Sequence, residues 1–381
     1  MNGPKNTLEL IEQIRKKNGK RSPNFQDVSR YLSFKAREKG IPLTGQFELT
    51  PLCNFDCKMC YVHLQPEQMN GRNILSVNTW KDIMLQAWKA GMLHAALTGG
   101  ECLTYQGFDE LFLYLHSLGC EVMVLTNGYL LNKERIEFFK KHKPAKIQIT
   151  LYGSDDETYE RVTGRRVFTE VLGNIQCAVD AGLPICLTIT PNTYMGENVL
   201  DTVCLAKKTC KNVSVNSGVF APREETGRSE DNGDPALEMY LRIYQLLDQL
   251  NGYQNIEVDE EKLPPVGGPC HECDEKGLTC AGGRSSFVVD WKGTLMPCNR
   301  MQIIQANVLK EGFQDAWKKV NREANNWPRV PECKDCVYNS VCNNCPGNIM
   351  DYTEPGKQPI KLCERTRFFV QHGVSRIPEC E

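Results

Sequence analysis

The sequence predicts an α/β protein with a parallel sheet, followed by a cysteine-rich C-terminal region. Short apolar runs alternate with amphipathic stretches from residue 46 to about residue 222, which is typical of repeated β-α units. We count six such units, too few for an eight-stranded barrel. From Cys270 onward the cysteines become dense and take the spacings of metal ligands.

Composition narrows the class of protein. The 381 residues are 41% hydrophobic and 24% charged, enough to bury a core and to divide into two or more domains. A formal net charge of −2 gives no general attraction to nucleic acid or anionic membrane, so we expect neither as a partner. No apolar run has the length of a membrane span, and the first thirty residues lack an apolar signal core. A cytoplasmic location is therefore expected, where 19 cysteines indicate iron–sulfur sites and not disulfides.

Residues 1–45 are expected to form an arm of two helices, 8–17 and 25–39, separated by a break over residues 19–23. Several basic residues lie on this arm. Either they form solvated faces of helices packed on the main domain, or they form a docking surface for an acidic peptide.

The predicted strands cover residues 46–50, 94–98, 121–126, 146–151, 185–190 and 212–219, with helices such as 77–90 and 108–117 between them. In a parallel β-α array, the loops after the strands converge on one face. The conspicuous motifs of this chain follow predicted strands, so we expect one functional site at that face.

Three cysteines follow the first predicted strand with the spacing C-x3-C-x2-C: Cys53, Cys57 and Cys60. Three thiolates on one short loop can surround one corner of a metal cluster and leave a fourth metal position open. Structural zinc sites usually fill all four positions, so the spacing favours a cluster with an exchangeable ligand. A zinc site or plain core cysteines are the alternatives.

This stretch resembles the radical S-adenosylmethionine (SAM) family, whose signature is C-x3-C-x-Φ-C; Met59 takes the usually aromatic position. The resemblance implies a partial TIM-like barrel of six β-α units. It implies a [4Fe–4S] cluster on the three cysteines, with the amino and carboxylate groups of SAM on the fourth iron. It also implies that an electron from this cluster breaks SAM to a 5′-deoxyadenosyl radical, which abstracts a substrate hydrogen.

The second predicted strand ends in Gly99-Gly100-Glu101. Two glycines allow a close backbone approach, and the carboxylate can pair with an ammonium group. This looks like the family's GGE motif, which binds the SAM amino group. Cys102, which follows, is either a lining residue or a participant in thiol chemistry.

Three further SAM contacts are expected. Asn127 lies in the turn after the third strand, where its amide can face the cofactor or simply form the turn. Thr150 stands in a segment similar to the family's Ser-Leu-Asp-Gly, whose hydroxyl contacts the SAM ribose. Arg161 is favoured over Arg165 and Arg166 as the partner of the SAM carboxylate.

The C-terminal cysteines resemble the SPASM domain, which carries two auxiliary clusters. Cys280, Gly293 and Cys298 form C-x12-G-x4-C, and C-x2-C-x5-C-x2-C follows, where the family has C-x3-C in the last step. The resemblance assigns one cluster to Cys333, Cys336, Cys342 and Cys363 and the other to Cys280, Cys298, Cys345 and Cys273, with Cys270 as the alternative for the last. A pair of zinc sites is the other explanation of these spacings.

The predicted domains are the arm (1–45), the barrel (46–222), a bridging loop and helix (223–264, with the helix over 235–250), the SPASM domain (265–370) and a tail (371–381). The resemblance favours a peptide or protein substrate and an electron donor such as flavodoxin or ferredoxin. Asn299 stands where related formylglycine-forming enzymes have an acid, so crosslinking, thioether formation or epimerisation is preferred. The alternatives are a dehydrogenase of a small alcohol or sugar and a non-catalytic zinc-ribbon scaffold.

Overall fold

One mixed sheet of nine strands runs through the part of the chain that the computed structural model describes, residues 25–227, 233–251, 277–334, 336–339, 341–342, 345–350 and 353–374. The strands lie side by side in the order β6-β5-β4-β3-β2-β1-β7-β8-β9. Their bounds are β1 (Thr44–Glu48), β2 (His94–Thr98), β3 (Glu121–Thr126), β4 (Lys146–Thr150), β5 (Ile185–Ile189), β6 (Val213–Val215), β7 (Ser286–Val289), β8 (Thr294–Met296) and β9 (Ala306–Asn307).

Strands β1 to β6 pair in parallel with their neighbours in chain order. All five residues of β5 are buried, as expected for a parallel strand covered on both faces. The prediction of an α/β protein with six β-α units in an open parallel sheet is confirmed.

Four predicted strands have different bounds in the structure. The fourth and fifth each end one residue earlier than predicted, at Thr150 and Ile189. The first is Thr44–Glu48 and not 46–50, because Gly45 hides the start of the strand pattern in the sequence; a Cβ there would lie 2.5 Å from the Phe287 ring.

The sixth strand is Val213–Val215 and not 212–219. One more backbone bond follows it, from the Asn216 amide to the Ile189 carbonyl. Side chains then take the place of the ladder, since the Asn216 side chain donates to the Thr190 hydroxyl and the Val219 amide donates to Asp234.

The helices cover the sheet and close its β-α connections. Ser76 caps α2 by accepting a hydrogen bond from the Thr79 amide, and this helix buries Trp80 against the sheet.

No helix among the described residues is both long and apolar enough to cross a membrane. The bounds are α1 (Phe25–Lys39), α2 (Val77–Lys89), α3 (Phe108–Ser117), α4 (Lys133–Lys141), α5 (Asp156–Thr163), α6 (Phe168–Asp180), α7 (Asn198–Thr209), α8 (Leu237–Asn251), α9 (Val308–Glu311), α10 (Phe313–Asn325), α11 (Pro346–Met350) and α12 (Ile360–Gln371).

Most predicted helices agree with these bounds, although the bridging helix starts at Leu237, two residues later than expected. It packs on the C-terminal helix α12 through Tyr244 and Phe369, whose ring centroids are 5.5 Å apart. The predicted helix over residues 8–17 lies outside the described residues, as do residues 228–232 of the loop before α8.

The cysteine-rich region continues the same sheet. Strand β7 pairs in parallel with β1, with Val289 opposite Phe47. Strand β8 then pairs antiparallel with β7, and β9 pairs antiparallel with β8. Phe287 on β7 packs edge-on against Phe47 (5.9 Å between ring centroids), Phe313 (4.9 Å) and Trp317 (5.9 Å). One hydrophobic core therefore runs beneath the parallel strands and the C-terminal hairpin.

We expect Phe287→Ala to lower the free energy of unfolding by about 3–5 kcal/mol, because it removes the ring that joins β7 to β1 and leaves a cavity. Thermal unfolding followed by circular dichroism measures the change. The matched control is Phe34→Ala, whose residue is 49% exposed. Equal midpoints for the two variants would contradict a continuous core.

Candidate functional site

The three-cysteine loop lies directly after β1, at the edge where the parallel strands end. Backbone hydrogen bonds hold it against α5: the amides of Asp56 and Lys58 donate to the carbonyls of Thr163 and Val162, each at 3.0 Å. The Phe55 amide donates to Cys53 Sγ at 3.3 Å, and the His63 amide donates to Cys60 Sγ at 3.3 Å. Amides that donate to sulfur favour its thiolate form.

Burial works against that ionisation. It raises the pKa of the Cys53 thiol to about 12, and the nearby Glu101 carboxylate adds to the rise. A thiol in this setting ionises when a cation is bound beside it. The loop therefore fits a metal cluster, which removes the proton that the protein alone would leave in place.

Gly99 and Gly100 join the end of β2 to the base of the cysteine loop. The Gly100 amide donates to the Thr50 carbonyl at 2.7 Å, and the Glu101 amide donates to the Leu52 carbonyl at 3.0 Å. A Cβ on Gly99, whose φ is +144°, would lie 2.4 Å from the Thr50 oxygen, and one on Gly100 would lie 2.3 Å from the Leu52 oxygen. The glycines are thus required for a close approach to the chain's own backbone.

Glu101 is a buried carboxylate, 1% exposed. It accepts hydrogen bonds from the Leu103 amide (3.0 Å), the Thr126 hydroxyl (2.9 Å) and the Asn127 amide (2.8 Å). Burial raises the pKa of Glu101, and these three donors oppose the rise. Within the described residues, no lysine, arginine or histidine forms an ion pair with it. The site thus fits a ligand that brings a positive charge, such as an ammonium group.

Asn127 connects this carboxylate to the cysteine loop. Its backbone amide donates to Glu101, and its side-chain amide donates to Asn54 at 2.7 Å and lies 3.8 Å from Cys53 Sγ. Cys102, by contrast, is fully buried, and its thiol donates to the Leu125 carbonyl at 3.2 Å. That contact agrees with a lining role for Cys102.

The other predicted cofactor contacts are more dispersed. Met59 is buried in the core, and Thr150 ends β4. Arg161 on α5 donates to the carbonyls of Tyr194 (2.6 Å) and Met195 (3.5 Å), beside a cavity of about 350 Å³. Among the described residues, Arg161 contacts its own helix α5 and the carbonyls of Tyr194 and Met195, and it does not contact Glu101. The roles of these three residues remain predictions.

The C-terminal thiols form two groups. Burial raises the pKa of Cys298 to about 11, and the thiolates of Cys280 and Cys345 raise it further. The second group surrounds Cys333, whose pKa burial also raises to about 11, with added repulsion from its neighbouring thiolates Cys342, Cys363 and Cys336. These thiols belong to the two sets that the resemblance to the SPASM domain implies, and their roles as ligands stay predictions. Cys273 and Cys270 lie outside the described residues.

No three His, Cys, Asp or Glu side chains in the described ranges converge closely enough to hold a single metal ion.

A buried ion pair that sequence reasoning missed lies beneath the cysteine loop. Arg223, from the segment after β6, donates to both oxygens of Glu48 at 2.7 and 2.8 Å, and Glu48 is 1% exposed. Burial alone would lower the pKa of Arg223, but the Glu48 carboxylate reverses this and raises it. The available signal for Glu48 was a charged residue between two apolar ones, Phe47 and Leu49; nothing in its neighbourhood points to Arg223.

Tyr61 extends this pair towards the C-terminal thiols. The Arg223 amide donates to the Tyr61 carbonyl at 3.1 Å, and the guanidinium lies 5.5 Å from the centre of the Tyr61 ring. The Tyr61 hydroxyl accepts a hydrogen bond from Asn299 at 2.8 Å. Burial raises the pKa of Tyr61, and the nearby charges of Glu48, Cys60 and Cys298 contribute to the rise. Tyr61 thus lies between the cysteine loop and one of the C-terminal thiol groups.

Two parts of the chain match family models. Residues 47–202 match the radical SAM superfamily, and residues 280–346 match the iron-sulfur cluster-binding domain called SPASM. The first match covers the cysteine loop and the Gly99-Gly100-Glu101 segment, and the second covers the C-terminal cysteines from Cys280 to Cys345.

Three relatives align with most of the chain. The AdoMet-dependent heme synthase of Methanosarcina barkeri is 23% identical, over 78% of this chain and 89% of its own length. The antilisterial bacteriocin subtilosin biosynthesis protein AlbA of Bacillus subtilis is 25% identical, over 81% of this chain and 68% of its own length. The sporulation killing factor maturation protein SkfB of the same organism is 29% identical, over 72% of this chain and 64% of its own length.

Solved structures share the fold. Streptococcus suis SuiB bound to its precursor peptide SuiA superimposes with a TM-score of 0.66, at 17% identity, over 92% of this chain and 88% of that one. Native anSMEcpe with bound AdoMet superimposes with a TM-score of 0.61, at 16% identity, over 87% of this chain and 96% of that one. At these identities the likeness establishes the architecture alone.

We expect Gly100→Ala to destabilise the protein by about 1–3 kcal/mol and to reduce its iron content after reconstitution, because the new methyl group meets backbone that cannot move aside. Thermal unfolding and iron per chain are the measurements. Gly173→Ala is the matched control, since a Cβ there meets nothing within 4 Å on helix α6. Equal iron content and midpoints in the two variants would show that the close approach at Gly100 is not required.

Proposed function

Because the chain belongs to the radical SAM superfamily and carries a SPASM domain, we propose that it modifies a peptide or protein by hydrogen abstraction. The observation that carries the proposal is the placement of Glu101, a buried carboxylate without a cationic partner among the described residues, beside a loop of three thiols. Asn127 contacts both, so the two parts belong to one site.

In this proposal Cys53, Cys57 and Cys60 hold the SAM-binding cluster, and Glu101 binds the amino group of SAM. When bound, the cluster and SAM supply a single electron and a 5′-deoxyadenosyl radical. The protein positions the reacting groups and excludes water from them. Gly99 and Gly100 allow the Glu101 carboxylate to lie against the cysteine loop. The rings of Tyr129 and Tyr152 pack on Phe55 within that loop. Met59, Asn127, Thr150 and Arg161 are the further proposed SAM contacts.

The two C-terminal thiol groups are proposed to hold auxiliary [4Fe–4S] clusters. Cys333, Cys336, Cys342 and Cys363 would hold one; Cys280, Cys298 and Cys345, completed by Cys273, would hold the other. These clusters would accept an electron from the substrate or bind it. Flavodoxin or ferredoxin is the proposed electron donor, and a reducing cytoplasm is the proposed location because it keeps thiols available to iron.

The names of AlbA and SkfB and the precursor-peptide complex of SuiB support a peptide substrate. Among peptide reactions we propose a thioether or carbon–carbon crosslink, or an epimerisation. Formylglycine formation is less favoured because Asn299 is a neutral amide that donates to Tyr61 and accepts from Gln46, at 2.8 and 3.5 Å, where a base would be needed. Turnover of a small molecule without any peptide would instead favour the dehydrogenase alternative.

The anaerobically reconstituted wild type should form 5′-deoxyadenosine from SAM when a reductant is present. The variant with Cys53, Cys57 and Cys60 all changed to alanine should form none, because it lacks the thiolates that hold the cluster. Chromatography of the quenched reaction measures the product. Cys177→Ala, at an exposed cysteine outside the three thiol groups, should behave as the wild type. Equal product from the triple variant would contradict the proposed site.

Glu101→Gln should weaken SAM binding by about 10- to 100-fold, since it removes the buried charge that would pair with the SAM amino group. Anaerobic titration calorimetry measures the dissociation constant. Glu134→Gln changes an exposed carboxylate in the first turn of α4 and should leave the constant unaltered. An unchanged affinity in Glu101→Gln would remove Glu101 from the SAM site.

A further inference from the structure

Helix α12 (Ile360–Gln371) joins two of the thiols in the Cys333 group, which consists of Cys333, Cys336, Cys342 and Cys363. Cys363 lies in the first turn of this helix, and the Thr366 hydroxyl, three residues later, donates to Cys342 Sγ at 3.2 Å. Residues three apart lie on the same face of a helix. One face of α12 therefore supplies a thiol to the group and a hydrogen-bond donor to a second thiol of the group.

The Thr366 hydroxyl is out of reach of bulk water, since the residue is 1% exposed. Among the described residues it has one other acceptor, the Leu362 carbonyl at 3.0 Å, which a helical threonine commonly contacts four positions earlier. A hydroxyl has a single proton, so the two acceptors compete for it. Because hydrogen bonds to ionised groups are the stronger ones, more negative charge on the sulfur turns the proton towards Cys342.

A second polar side chain near this group makes a weaker contact. The Gln358 amide lies 4.0 Å from Cys363 Sγ, and Gln358 is exposed, so water competes for both partners. Burial raises the pKa of Cys342, and the Thr366 hydrogen bond opposes the rise. Thr366 is thus the closer and the less hydrated of these two donors, and it stabilises negative charge on the sulfur that it contacts.

Contacts between α12 and the rest of the fold fix the position of the hydroxyl. Arg365, the residue before Thr366, donates to the carbonyl of Ser217 in the segment after β6. Its guanidinium lies 4.7 Å from the centre of the Tyr240 ring on α8. A rotation of α12 that took the hydroxyl away from Cys342 would break both contacts, so the donor is presented from a fixed helix.

We propose that Thr366 is a positioning residue that acts through Cys342: its hydroxyl stabilises the reduced state of the auxiliary cluster and so raises the reduction potential. The inference rests on the proposed function, which assigns an auxiliary [4Fe–4S] cluster to the Cys333 group. A reduced cluster carries one more negative charge than an oxidised one, and hydrogen bonds to its sulfurs favour that charge. Thr366 therefore makes this cluster a better electron acceptor than the same four thiolates would make it alone.

The test compares full-length, anaerobically reconstituted proteins by redox titration followed by electron paramagnetic resonance (EPR). Thr366→Val removes the hydroxyl and keeps the shape of the side chain, whereas Thr366→Ser keeps the hydroxyl. Thr202→Val is the matched control, because Thr202 is buried on α7 and donates to the carbonyl four residues earlier at 2.8 Å, but among the described residues to no sulfur. The EPR signal of the auxiliary cluster is the one that Cys363→Ala removes.

Thr366→Val should lower the midpoint potential of this signal. The equilibrium between reduced and oxidised cluster should shift by up to about tenfold, which is about 59 mV for one electron. Thr366→Ser should keep the wild-type potential, and Thr202→Val should leave it unchanged. An unchanged potential in Thr366→Val, or a fall of the same size in Thr366→Ser or in Thr202→Val, would each overturn the inference.

A measurement on the wild type decides the question if Thr366→Val does not fold. Electron–nuclear double resonance of the reduced auxiliary cluster, recorded in H₂O and in D₂O, detects exchangeable protons beside its sulfurs. We expect such a proton in the wild type and in Thr366→Ser. Its absence from the wild type would overturn the inference.

Formation of 5′-deoxyadenosine by the same wild-type preparation separates the two proposals. A shifted potential in Thr366→Val without this product would overturn the proposed hydrogen abstraction and leave the role of Thr366 standing. Product with an unchanged potential in Thr366→Val would overturn the role of Thr366 alone. Identical EPR signals in the wild type and Cys363→Ala would overturn the assignment of the cluster, and the role of Thr366 with it.

Discussion

The sheet edge that carries the cysteine loop and Glu101 depends on two backbone hydrogen bonds, from the Gly100 amide to the Thr50 carbonyl and from the Glu101 amide to the Leu52 carbonyl. They join the end of β2 to the base of the cysteine loop, and they form only because no side chain stands at residues 99 and 100. The buried carboxylate is thereby held beside the thiols. A loop with the same three cysteines but without this junction would have three thiols and no carboxylate fixed beside them.

A second constraint ties that edge to the C-terminal region. The buried Glu48–Arg223 pair and the half-buried Tyr61 and Asn299 form a continuous chain of contacts from the end of β1 to the residue after Cys298. A buried ion pair seldom adds much net stability, because desolvation offsets the attraction. Its effect here is to specify position, because Arg223 holds the segment after β6 against the end of β1 and against Tyr61.

The sequence predicted what depends on local patterns. The six β-α units and most helix bounds follow from periodicity, whereas the division of the C-terminal thiols into two groups came from the resemblance to the SPASM domain. The sequence could not predict pairings between distant residues: the junction of β7 with β1 and the partner of Glu48 each require the fold. Gly45 illustrates why, since a residue that weakens the strand pattern is the one that makes room for Phe287.

The pairing of β7 with β1 also bears on how the chain matures. The first strand of the parallel sheet obtains its second neighbour only from a segment near the other end of the chain, so that edge stays open while the ribosome still makes the intervening residues. Contacts of such sequence separation form slowly, and an open apolar edge invites pairing with other chains. Strand β7 thus covers the free edge of β1 late in synthesis.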